Sequence, residues 1–98
     1  MTGLEEPGRS ELVDRIAAAV TGVEGVADLH AGMFGEAATY LPGRRVAGIR
    51  IGEDGTEVHL SIVFGYALRP TAEAVRDAVA GLVSGPVHVT VEDVVRSR

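Results

Sequence analysis

The sequence predicts an α+β domain, a two-layer sandwich in the order α-β-β-β-α-β. One mixed four-stranded sheet carries two helices on one of its faces. Three observations predict this. Two segments repeat apolar residues at helical spacing, Leu12-Val13-Ile16-Ala17-Val20 and Ala72-Val75-Ala78-Val79-Leu82. Four shorter runs alternate apolar and polar residues, as strands with one buried face do. Each helix then offers one apolar stripe and each strand one apolar face. Stacking both helices on one side of a single sheet is the simplest way to bury them all.

The elements follow in order. Residues 1–9 mix Gly, Pro and charge and read as a flexible tail, with the domain occupying 10–95 and a short solvated end at 96–98. The first helix spans Ser10 to Thr21, with Ser10 as its cap and Glu11 and Asp14 at the end where the dipole favours acid. Gly22 ends it. A short strand covers Val26 to Ala31, with Ala27, Leu29 and Ala31 on one side and Val26, Asp28 and His30 on the other. Gly32 to Arg45 reads as a long loop, with room for a helical turn in Glu36 to Tyr40. Val46 to Gly52 is the second strand, Glu53-Asp54-Gly55 a hairpin turn and Thr56 to Phe64 the third strand. Val58, Leu60, Ile62 and Phe64 are expected on its buried side. Pro70 suits the first turn of a second helix, which runs to about Val83 before Ser84-Gly85-Pro86 stops it. Val87 to Val94 is the last strand. A helical crossover makes it parallel to the third.

Composition excludes more than it assigns. The 98 residues suit one domain. There is no Cys, which removes disulfides, zinc-thiolate sites and thiol nucleophiles together. All nine basic residues are Arg, so there is no Schiff-base or phosphate-loop lysine. A net charge of -5 argues against nucleic-acid binding. The N-terminus lacks a basic start followed by an apolar run, and no apolar run approaches the ~20 residues that span a bilayer. The reading is a cytoplasmic protein without direct membrane insertion.

Alternation turns His30, His59 and His88, every histidine of the chain, onto the sheet face away from the helices. Asp28, Arg50, Ser61, Thr90 and Glu92 join them. Such a face is either solvated surface, a pH-sensitive patch or a site for a divalent metal or small molecule. Solvated surface is the default, so no metal or cofactor is assigned. In the loop, Met33, Phe34, Tyr40 and Leu41 either form an apolar contact surface for a partner, or Phe34 and Leu41 fold back to close the sheet edge. Gly65-Tyr66, before the second helix, is read as a turn and a packing residue rather than an anion site. Ser61 and His59 are two apart on one strand, ~6.8 Å along it, too far for a nucleophile and its base. No catalytic set can be assembled.

Several segments together resemble the alkaline shock protein family of bacterial general-stress and envelope proteins. They are Gly25-Val26-Ala27, Leu41-Pro42-Gly43-Arg44-Arg45, Val46-Ala47-Gly48-Ile49, Val63-Phe64-Gly65-Tyr66, the helix opening at Pro70, and Val87-His88-Val89-Thr90-Val91-Glu92-Asp93-Val94. The resemblance covers about residues 12–95. It implies a non-catalytic protein near the cell envelope that self-associates or is recruited by a membrane-anchored partner. Gly25, Gly43, Gly48, Gly65, Tyr66 and Pro70 are then architectural positions. The chain departs from the family in lacking Lys and a long charged tail. A small-molecule or metal-binding module using the histidine face is the alternative.

Overall fold

A computed structural model describes residues 8–97. The tail expected over residues 1–9 lies outside the described residues apart from Gly8 and Arg9, and Arg9 already belongs to a helix. The elements are α1 (Arg9–Thr21), β1 (Val26–Leu29), β2 (Ala38–Leu41), β3 (Arg44–Ala47), β4 (Ile49–Gly52), β5 (Gly55–Val63), α2 (Leu68–Ala80) and β6 (Val87–Val95). The class is α+β, with two strands more than the alternation shows.

Strand β5 organises the sheet. Along one edge it pairs in parallel with β6, from Thr56 opposite Val87 to Val63 opposite Val95. Its other edge is shared by two short antiparallel strands lying end to end. β4 pairs with residues 55–58 and β1 with residues 60–62. The junction falls at His59, whose N–H donates to the Gly48 carbonyl (2.8 Å) and whose carbonyl accepts from His30 N–H (2.9 Å).

Between those two strands the chain makes a second, two-stranded sheet, β2 with β3. This corrects two expectations. The stretch Gly32 to Arg45 is largely a hairpin turning at Pro42-Gly43, with no helical turn in Glu36 to Tyr40. The strand expected from Val46 to Gly52 is split at Gly48. There φ is +85°, and an added Cβ would sit 2.6 Å from the His59 carbonyl oxygen. Only glycine fits such a conformation so close to a neighbouring backbone. The Gly48 N–H donates to the Ala37 carbonyl (2.6 Å), and the Thr39 hydroxyl donates to the Ile49 carbonyl. These bonds tie the hairpin to the main sheet.

Both helices contribute to one core. Val13, Ile16 and Val20 of α1 and Val75 and Val79 of α2 join Val26, Ile49, Val58, Leu60, Ile62 and Val87 of the sheet. The stripes form because residues three and four apart share a helix face. Four side-chain placements differ from expectation. Gly8, not Ser10, caps α1, and the Ser10 hydroxyl instead accepts a bond from Arg44 (2.7 Å). Arg44 also grips Asp14 through both terminal guanidinium nitrogens, at 3.0 and 2.9 Å. In β1 it is Val26 and Leu29 that meet the core, because a bulge between Val26 and Asp28 interrupts the alternation. Phe64 lies beyond the end of β5 and is 71% exposed, so the buried side of that strand stops at Ile62. In α2 the buried residues are Thr71, Val75 and Val79. Its first turn begins two residues before Pro70, where a missing N–H costs nothing.

Candidate functional site

The outer face of the sheet is built by the same alternation that fills the core. With Thr56, Val58, Leu60 and Ile62 turned inward, Glu57 and His59 must point outward. Parallel pairing then sets His88 beside Glu57 and Thr90 beside His59. A bulge in β6, where Leu60 faces Val91 but Ser61 faces Asp93, leaves Glu92 as an extra residue. Its carboxylate reaches across to His59.

His59 is therefore held at both ring nitrogens. Nδ1 lies 2.7 Å from Glu92 Oε2 and Nε2 lies 3.2 Å from Glu57 Oε1. The side chain is only 13% exposed. Partial burial pulls the imidazolium down, but the bonds to Glu92 and Glu57 outweigh it and raise the His59 pKa above its usual value. The carboxylates thus stabilise a charged histidine in the middle of the sheet.

The other two histidines do not converge on it. His30 lies at the end of β1, and its Nδ1 accepts a bond from Gly32 N–H (2.9 Å), which turns the chain into the following loop. His30, Gly32, Met33, Glu92 and Asp93 line one shallow pocket. His88 is exposed and lines a separate pocket with Arg50 and Glu57. Among the described residues no group of three or more His, Asp or Glu is arranged to hold a metal ion. Ser61 is no partner for His59 either, because its hydroxyl donates to the Asp28 carbonyl (3.4 Å).

The loop residues are the other candidate. Met33 is 82% exposed, Phe34 88% and Tyr40 71%, while Leu41 is half-buried. The alternative in which Phe34 closes the sheet edge is overturned by that exposure. A few hydrogen bonds hold the loop in place. Gly35 N–H donates to the Gly32 carbonyl (3.1 Å) and Phe34 N–H to Glu36 Oε1 (3.1 Å). Arg45 donates to the Gly35 carbonyl (3.3 Å) and lies over the Tyr40 ring, 5.9 Å from its centroid. The small side chains of Ala37, Ala38 and Thr39 take the buried positions beneath. Met33 and Phe34 are thus displayed at a fixed turn.

The architectural positions have concrete places. Tyr66 lies against Gly25, where an added Cβ would come within 2.8 Å of its ring, and its hydroxyl donates to Glu24 (3.4 Å). Gly43 is in the β2–β3 turn, Gly65 follows β5 and Pro70 lies in the first turn of α2.

Two groups of residues escaped the sequence. Glu57 and Glu92 as partners of His59 depend on the neighbour order of β5 and β6 and on a bulge, neither of which alternation reveals. Arg44 with Ser10 and Asp14 joins positions about thirty apart, and its only signal was the opposite charge. Among the described residues no helix is long and apolar enough to cross a membrane. No protein-family model, no curated protein and no solved structure matches the chain.

Proposed function

We propose that this chain is a non-catalytic protein of the alkaline shock type, an interaction module in cell-envelope stress homeostasis. It works in the cytoplasm through self-association, or at the membrane through a membrane-anchored partner. The observation that carries this reading is the display of Met33, Phe34 and Tyr40. Large side chains held out from a fixed turn (Met33, Phe34) and from strand β2 (Tyr40) contribute nothing to the core and suit a protein contact. The segment order that resembles the family supports it independently.

The alternative, a metal or small-molecule module on the histidine face, draws less support. Both nitrogens of His59 are already engaged by carboxylates, and His30 and His88 line different pockets.

The test is sedimentation velocity of the full chain over a concentration series, with Phe34→Ser beside the wild type. The expected result is concentration-dependent growth that Phe34→Ser reduces, with melting temperatures that agree. A Phe34→Ser variant that melts far below the wild type would return Phe34 to a packing role and remove the contact surface. If the wild type stays monomeric, self-association is removed and only the anchored partner remains.

A further inference from the structure

Among the described residues, the second edge of β6 has no strand beside it. Pairing to β5 leaves nine residues, Val87 to Val95, with one side open, and they contain no Pro, Gly or Lys to blunt it. The Pro86 carbonyl accepts from Thr56 N–H (2.9 Å), so the backbone of Pro86 faces β5. By alternation Val87, Val89 and Val91 turn their N–H and C=O groups to the open side. The bulge shifts that parity, and Val94 takes the next open position.

Both ends of this row are already capped by side chains. Arg76 Nε donates to the Val87 carbonyl (3.4 Å), and Asp93 Oδ1 accepts from Val94 N–H (2.8 Å). Between the caps, no hydrogen bond to another segment engages the open-side groups of Val89 and Val91 among the described residues. The available window is short and centred on Thr90.

We propose that this window pairs with the same window of a second copy, antiparallel, with Thr90 on the twofold axis. This rests on the self-association reading and adds to the loop a second contact surface, the edge of β6. The register is dictated by the caps. Val89 lies opposite the partner's Val91 and exchanges two backbone hydrogen bonds with it, and the symmetric pair adds two more. A register centred on Val89 would have to displace Arg76 from Val87.

Side chains agree on both faces. Val89 and Val91, half-buried at the rim of the core, extend its apolar floor across the axis. On the outer face His88 lies opposite the partner's Glu92, twice, in the close positions of an antiparallel ladder. A histidine ring N–H can donate to a carboxylate there, whereas like charges placed there repel. A self-complementary patch of this kind closes as a dimer, because the twofold uses up the edge it needs.

The experiment is sedimentation velocity of the full chain across a concentration series. Wild type is compared with Thr90→Arg, His88→Glu, His88→Arg and Phe34→Ser, and melting temperature is recorded for each. Thr90→Arg sets two guanidinium groups face to face, and His88→Glu sets a carboxylate against Glu92. Each is expected to weaken dimerisation at least about tenfold, whereas His88→Arg retains the dimer. In the wild type, amide exchange at Val89 and Val91 is expected to slow as concentration rises. That measurement needs no variant to fold.

A wild type that stays monomeric throughout overturns both this edge and the self-association reading. Assembly that persists in Thr90→Arg, with exchange at Val89 and Val91 independent of concentration, overturns the edge alone. Loss of that same assembly in Phe34→Ser would then move the contact to the loop.

Discussion

At the scale of single residues, His59 carries the most consequence. Its ring bridges Glu92 and Glu57, and the two carboxylates raise its pKa against the opposing effect of burial. A histidine raised on folding adds stability that is full below its unfolded value near 6.5. The contribution is lost as pH climbs through the higher folded value. His59→Gln is therefore expected to lower the melting temperature most at about pH 6 and least at about pH 8.5. Melting curves of the two proteins across that range measure the difference directly. A gap of constant size would show that His59 acts through packing alone. Around the ring, the Ser61 hydroxyl donates to the Asp28 backbone carbonyl and the Asp28 carboxylate accepts from Leu29 N–H, so both remain outside the charged cluster.

At the scale of elements, the junction between hairpin and sheet is the most demanding feature. Gly48 serves both sheets, donating to Ala37 and accepting from His59. Gly48→Ala forces a Cβ at positive φ against a backbone oxygen that cannot swing aside. A loss of about 2–4 kcal/mol is expected from chemical denaturation. Element type was legible wherever one period dominated. The α1 and α2 stripes and the long alternation of β5 identify themselves from residue spacing. The hairpin was hidden because Met33, Phe34, Gly35 and Pro42-Gly43 carry the composition of a loop, while the paired runs Ala38–Leu41 and Arg44–Ala47 are only four residues each. β1 misled for a different reason. A bulge of one residue turns Val26 inward alongside Leu29, and nothing in Val-Ala-Asp-Leu announces it. In the candidate site, alternation placed the histidines outward but could not show which carboxylates they meet. Those partners lie on strands whose adjacency is a property of the fold.

For the whole molecule, the enclosed core and the loop proposed as a contact surface are built from different residues. Leu60 is fully enclosed at the centre of β5, among side chains from both helices and the strands. Leu60→Ala removes that centre and is expected to cost about 2–5 kcal/mol in a denaturant titration. Phe34→Ser, at 88% exposure, is expected to change the same titration by no more than about 0.5 kcal/mol. Comparable losses from both would mean that Phe34 is packed and that the loop belongs to the core. The separation lets the exposed loop be altered while the sandwich that supports it remains intact.

Chain connectivity gives the split edge of β5 one more meaning. His30 and Gly48 both meet His59, so the chain leaves the sheet and returns to it at nearly one point. The seventeen residues in between are a detour whose ends are already together. Closing such a detour costs free energy that rises only logarithmically with its length, about 0.6 kcal/mol for each doubling. The tip at Pro42-Gly43 is thus a natural point at which residues can be gained or lost while the two halves of the divided strand keep their places. A foreign peptide spliced there would be carried outward on a stem without entering the sheet that holds it.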